Sequence, residues 1–158
     1  MSTTQEAGAA ERGPYYEDYR EGESFHQCQY HLDEEEIVSF AETYDPQPFH
    51  TDPAVAEESF FEGLSASGWQ TAAITMRLFV DFLGVSGPAG SIGLGVDDLR
   101  WHSPVRPDET LCADITVEER RPWDEGHGYL RFGMDVHTPD ETKLTAVIVT
   151  LFERRDSE

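Results

Sequence analysis

Lysine is nearly missing from this 158-residue chain: Lys143 is the only one. With the arginines it makes 11 basic residues against 32 Asp and Glu, a formal charge of -21. A surface of that sign repels duplex DNA and anionic membranes, whose phosphates call for clustered Arg and Lys, so neither nucleic acid nor a membrane is expected as a partner. The acidic excess is spread through segments that carry 38% apolar residues in periodic order, which separates it from a disordered acidic tract. Such a surface suits a halophilic, cytoplasmic protein, because self-repulsion is screened at molar salt, where the Debye length is about 3 Å; an ordinary acidic protein is the alternative.

Cysteine is scarce as well. Cys28 and Cys112 lie in strand-like sequence without CxxC spacing, so free buried thiols are expected and a zinc site is not. No run of 18 apolar residues exists to span a membrane. No cationic stretch followed by an apolar one opens the chain, so a cytoplasmic location is expected over secretion. A chain of this length most economically forms one domain, burying about 70% of its unfolded surface. That domain is expected over residues 15–158, with residues 1–14, rich in Ser, Thr, Ala, Gly and Glu, as a mobile tail.

What is present has clear periodicity. Residues 23–32 alternate as a first strand. Asp33, with Glu36 three positions on, caps a helix to about Thr43 whose apolar stripe is Ile37, Val38, Phe40 and Ala41. Pro46 and Pro48 forbid its continuation and stiffen the following loop. Asp52 and Pro53 start a short helix through about Phe60. The long helix is Gly68 to Leu83, about 24 Å, with one apolar row at Trp69, Ala72, Ala73, Met76, Val80 and Leu83 and a second at Ile74, Leu78 and Phe82. Two such rows predict burial over most of its circumference. The period then switches to 2, giving strands near 92–101, 111–121, 129–137 and 144–154, the last reading as central and covered on both faces. One strand, helices and four strands with short connections describe an α+β antiparallel sheet over one long helix.

The chemistry concentrates in residues 44–83. Asp45 stands five positions before His50 in the proline-braced loop, and a Ser67-Gly68 step opens the long helix. These supply a base, an acid and exposed backbone N–H groups able to stabilise a developing oxyanion. Asp45 before Pro46 also suits a plain turn, and Gly68 a close-packed helix start. No metal is expected. His50 and Asp52 lack a third ligand, and His26, His31, His102, His127 and His137 show no metal spacing and read as structural or exposed. Gly93 and Gly95 lack the helix a dinucleotide loop needs, and Trp101 and Trp123 read as packing or interface residues.

Three stretches in order, Asp45-Pro-Gln-Pro-Phe-His50-Thr-Asp-Pro, Ala66-Ser-Gly-Trp69 and Leu99-Arg-Trp-His-Ser-Pro-Val-Arg-Pro-Asp-Glu-Thr-Leu111, resemble the MaoC-like dehydratases, which include (R)-specific enoyl-CoA hydratases. The resemblance runs over about residues 20–155. It implies a hot-dog fold, a homodimer joined edge to edge or a dimer of such dimers, an acyl-CoA substrate and no separate cofactor, coenzyme A being part of the substrate. It also implies a hydro-lyase reaction that converts a trans-2-enoyl-CoA reversibly to the (R)-3-hydroxyacyl-CoA. Asp45 and His50 become the catalytic pair by matching position, with Gly68 N–H on the thioester oxygen. Family hydratases commonly carry Asn where this chain has Gln47, and His where it has Ser67, which makes both residues substrate-binding candidates. Arg100, Arg106, Arg120 and Arg121 are candidates for the CoA phosphates. The rival readings are a hot-dog thioesterase and a non-catalytic acyl-CoA binding subunit.

Overall fold

The computed structural model describes residues 13–84 and 87–155; the expected tail falls almost wholly outside them. After a single 3-10 turn at Tyr16–Asp18, the elements are β1 (Ser24–Leu32), α1 (Glu34–Tyr44), α2 (Pro48–Thr51), α3 (Pro53–Glu57), α4 (Gly68–Leu83), β2 (Ser91–Trp101), β3 (Glu109–Pro122), β4 (His127–His137) and β5 (Thr142–Glu153). The five strands form one antiparallel sheet in the order β1-β3-β4-β5-β2. Packed on one face of it, α4 makes the hot-dog arrangement that the motifs imply.

Local signals act where expected. Asp33 accepts a hydrogen bond from Glu36 N, Asp52 from Ala54 N and Val55 N, and Ser67 from Trp69 N. Gly84 ends α4 in the left-handed conformation at φ 59°, which costs glycine nothing. The core lies between α4 and the sheet. Ile74, Leu78, Phe79 and Phe82 meet Phe25, Ile115, Val117 and Phe132, with Phe82 stacked on Phe25 and Phe79 edge-on to Phe132. Each such buried side chain contributes about 1.5–3 kcal/mol relative to exposure.

Four expectations need correction. The loop after α1 is not wholly irregular, because Pro48 occupies the first position of the one-turn α2, where its missing N–H costs nothing. Within one chain, burial of α4 is one-sided: Trp69, Met76 and Val80 of the first apolar row are exposed, while the buried face includes Gln70, Thr71 and Thr75. The last strand is interior but not central, a place held by β4, although Ala146 to Thr150 are buried without a break, as expected for a strand covered on both faces.

The fourth correction concerns the cysteines. Cys28 and Cys112 are not free buried thiols but a half-buried disulfide. They are register partners on β1 and β3 with Cα atoms 4.2 Å apart, a closeness that sheet pairing creates across 84 residues and that no local spacing could reveal.

Candidate active site

Asp45 follows the last residue of α1, and His50 sits on the α2 turn two residues beyond Pro48. The chain between them is tied down by Gln47 N to Asp45 O at 2.7 Å and His50 N to Gln47 O at 2.9 Å. The two side chains meet, with His50 Nε2 3.4 Å from Asp45 Oδ2. His50 is buried, and its Nδ1 lies 2.6 Å from the Ser65 carbonyl. A carbonyl can only accept, so Nδ1 carries a proton and Nε2 is the nitrogen turned to Asp45.

Four influences act on the Asp45 carboxylate. Desolvation is the largest single one and pushes its pKa up. Hydrogen bonds from Gln47 Nε2 to Oδ1 and from Ser67 Oγ to Oδ2, both 2.7 Å, act with the His50 charge in the opposite sense. Together they prevail and hold the carboxyl below its usual range. Asp45 is thus ionised, oriented and partly shielded from water.

A cavity of about 620 Å³ opens beside the pair. Its walls include Asp45, His50, Ala66, Gly68, Trp101 and Val105. Gly68 is the first residue of α4, so its N–H has no acceptor within the helix. Gln47 and Ser67 are not among its lining residues, and both act on Asp45 instead. The reason for glycine at position 68 is the close approach of another wall residue, Trp101. A Cβ there would lie 2.6 Å from the Trp101 ring, whose indole N–H donates to Gly68 O at 2.7 Å. The close-packing reading of Gly68 therefore holds, and it is compatible with an unobstructed N–H.

Two cations that the sequence did not place here fix the cavity wall. Arg106 donates to the carbonyls of Phe61, Gly63 (2.8 Å) and Leu64 (3.3 Å), so this phosphate candidate is occupied in holding the segment before Ser65. Buried Lys143 bonds Pro104 O at 2.8 Å, Glu109 at 3.2 Å and Glu141 at 2.6 Å, which anchors the 103–106 wall. Arg120 lies over the Tyr16 ring and Arg121 over Tyr129, while the Arg100 guanidinium donates to Leu99 O. The single lysine and the Arg-Pro-Asp-Glu stretch were visible in the sequence, but, Glu141 apart, the hydrogen-bond partners of the Lys143 and Arg106 side chains are 34 to 45 residues away. Among the described residues, the groupings of three side chains with metal-ligand spacing lie elsewhere, on the outer face of the sheet.

The geometry now has independent company. A family model for the MaoC-like domain matches residues 18–138, and the chain belongs to that family. A crystallised MaoC-like dehydratase from Rhodospirillum rubrum is 36% identical, with 90% of this chain and 99% of that one covered and a TM-score of 0.80. The unliganded R-hydratase PhaJ1 from Pseudomonas aeruginosa, at 22% identity, shares the fold at a TM-score of 0.75, covering 90% and 88% of the two chains. The uncharacterized protein YdeM of Bacillus subtilis is 29% identical over 113 residues, 72% of this chain and 79% of its own. No helix among the described residues is long and apolar enough to cross a membrane.

Proposed function

We propose that this chain hydrates a trans-2-enoyl-CoA thioester to the (R)-3-hydroxyacyl-CoA, reversibly and without a separate cofactor. The observation that carries the reading is the meeting of Asp45 and His50 at 3.4 Å on the wall of a cavity that Gly68, the first residue of α4, also lines. Water, oriented by the Asp45 carboxylate, attacks C3 and gives its proton to Asp45. The proton on His50 Nε2 passes to C2, on the same face. The electron pair moving from the C2–C3 double bond towards the thioester oxygen is stabilised by the Gly68 N–H at the positive end of α4. Transfer of the proton from Asp45 to His50 then restores both groups. Ser65 holds the ring, and Gln47 and Ser67 hold the carboxylate.

The protein acts as a homodimer in this reading. Edge strand β2 exposes Ile92, Leu94 and Val96, and the adjoining α4 row exposes Trp69, Met76 and Val80. Pairing β2 with its copy satisfies the open backbone edge and covers both rows. Sedimentation of the purified chain gives a dimer if this holds.

Incubation with crotonyl-CoA tests the chemistry. Loss of the enoyl absorbance with CoA still esterified is the expected result. Release of free thiol identifies a thioesterase, and binding of CoA thioesters with no turnover identifies a non-catalytic subunit.

A further inference from the structure

On the face of the sheet opposite α4, three strands bring His26 (β1), Asp114 (β3) and His137 (β4) together. His26 and Asp114 are register partners, and His26 Nδ1 lies 2.6 Å from Asp114 Oδ1. His137, paired with Cys112, reaches across so that its Nε2 lies 3.1 Å from Asp114 Oδ2. That Nε2 is fully buried, yet it makes no hydrogen bond.

The outward nitrogens face acceptors as well. His137 Nδ1 lies 3.2 Å from Thr138 O, which can only accept, so in the neutral ring the proton sits on Nδ1 and Nε2 is a bare lone pair. His26 Nε2 lies 2.9 Å from Cys28 Sγ, and its Nδ1 lies 2.6 Å from the Asp114 carboxylate, so both nitrogens of this ring face atoms that can only accept. Two imidazole nitrogens therefore converge on one carboxylate, a contact that needs a positive charge between them, carried either by protons on the rings or by a metal ion. The register partner of Asp114 on β4 is a second carboxylate, Asp135. Like charges facing each other across strands destabilise a sheet unless a cation lies beside them, and a metal ion held by the two rings and Asp114 supplies more charge there than a ring proton can.

We propose that His26 Nδ1, His137 Nε2 and an Asp114 oxygen form a binding site for a borderline divalent transition metal such as Zn2+, with solvent completing the shell. Two imidazoles and one carboxylate suit that class of ion better than Mg2+ or Ca2+. The three ligand atoms lie within 4.8 Å of one another. Tetrahedral Zn2+ with bonds of about 2.0 Å needs ligand atoms ~3.3 Å apart, which small side-chain rotations supply. Thr138 O and Cys28 Sγ then play the part of outer hydrogen-bond acceptors that fix each ring. The site is remote in sequence and in the fold from Asp45 and His50, and it does not depend on the proposed hydration chemistry.

The test is Zn2+ titration of the full chain with its disulfide intact, in excess Mg2+ to occupy the acidic surface. One Zn2+ per chain is expected, with His26→Gln and His137→Gln each weakening binding at least about tenfold. Thermal unfolding of the same samples controls for folding, and Zn2+ is expected to raise the midpoint of the wild type but not of the double variant. Co2+ substitution is expected to give visible bands without thiolate charge transfer. Absence of saturable binding above the Mg2+ background, or equal binding by the double variant, overturns the assignment. So does binding that appears only after reduction, with a thiolate signature, because the ligands would then be the cysteines.

Discussion

Ser67 and Asp45, 22 residues apart, are joined by a 2.7 Å hydrogen bond in which the residue that caps α4 also holds the carboxylate. Ser67→Ala removes a donor that keeps the Asp45 carboxyl below its usual range, leaving the upward push of burial less opposed. Because the base must be ionised, the acidic limb of kcat/KM moves to higher pH in the variant. A pH profile checks this; an unmoved limb would show that Ser67 does not tune Asp45. Loss of the cap is expected to lower stability by about 1 kcal/mol.

Gly68→Ala sets a methyl group 2.6 Å from the Trp101 ring. A loss of about 1–3 kcal/mol is expected in urea unfolding. Trimming the indole with Trp101→Val in the same chain recovers part of it. The double-mutant cycle is expected to give a coupling of about 0.5–3 kcal/mol; strict additivity would show that the close approach is not what position 68 answers to.

Lys143→Met strips Pro104 O and two carboxylates of a buried partner. About 2 kcal/mol or more of stability is expected to be lost at neutral pH. The Lys143 hydrogen bond and charge hold the Glu141 carboxyl below its usual range, so what that pair contributes is present above the unfolded carboxylate value and fades as pH falls through the folded one. The gap between wild type and variant in urea unfolding therefore narrows in acid. A gap that widens there would contradict the assignment.

The Cys28–Cys112 bond closes a long loop, so Cys28→Ser with Cys112→Ser is expected to cost about 2–4 kcal/mol, while activity is unchanged because neither residue lines the cavity. Thermal unfolding with and without reductant checks this. Equal midpoints for the oxidised and reduced wild type would count against the bond.

Local rules made the helices legible: Asp33, Asp52, Ser67 and Gly84 start and stop them as their chemistry dictates, and α4 runs between the residues expected. The Asp45 and His50 pair was legible too, because both lie in one braced loop. Register was not. The alternation of β1 and β3 says which face each side chain takes, but not that Cys28 meets Cys112 or that His26 meets Asp114. Trp101 over Gly68, Arg106 on the Phe61 to Leu64 carbonyls and Lys143 under Pro104 are likewise products of pairings 33 or more residues long. The exposed row on α4 was misjudged because periodicity reports an apolar face without saying whether this chain or another covers it.

The most direct measurement is kcat for crotonyl-CoA hydration by the wild type, Asp45→Asn and His50→Ala, with the folded dimer verified in each. The expected result is turnover by the wild type and a fall of about 10²–10⁴ in both variants. Turnover by Asp45→Asn at the wild-type rate would contradict the account, because the work assigned to the Asp45 carboxylate would then be done by some other group.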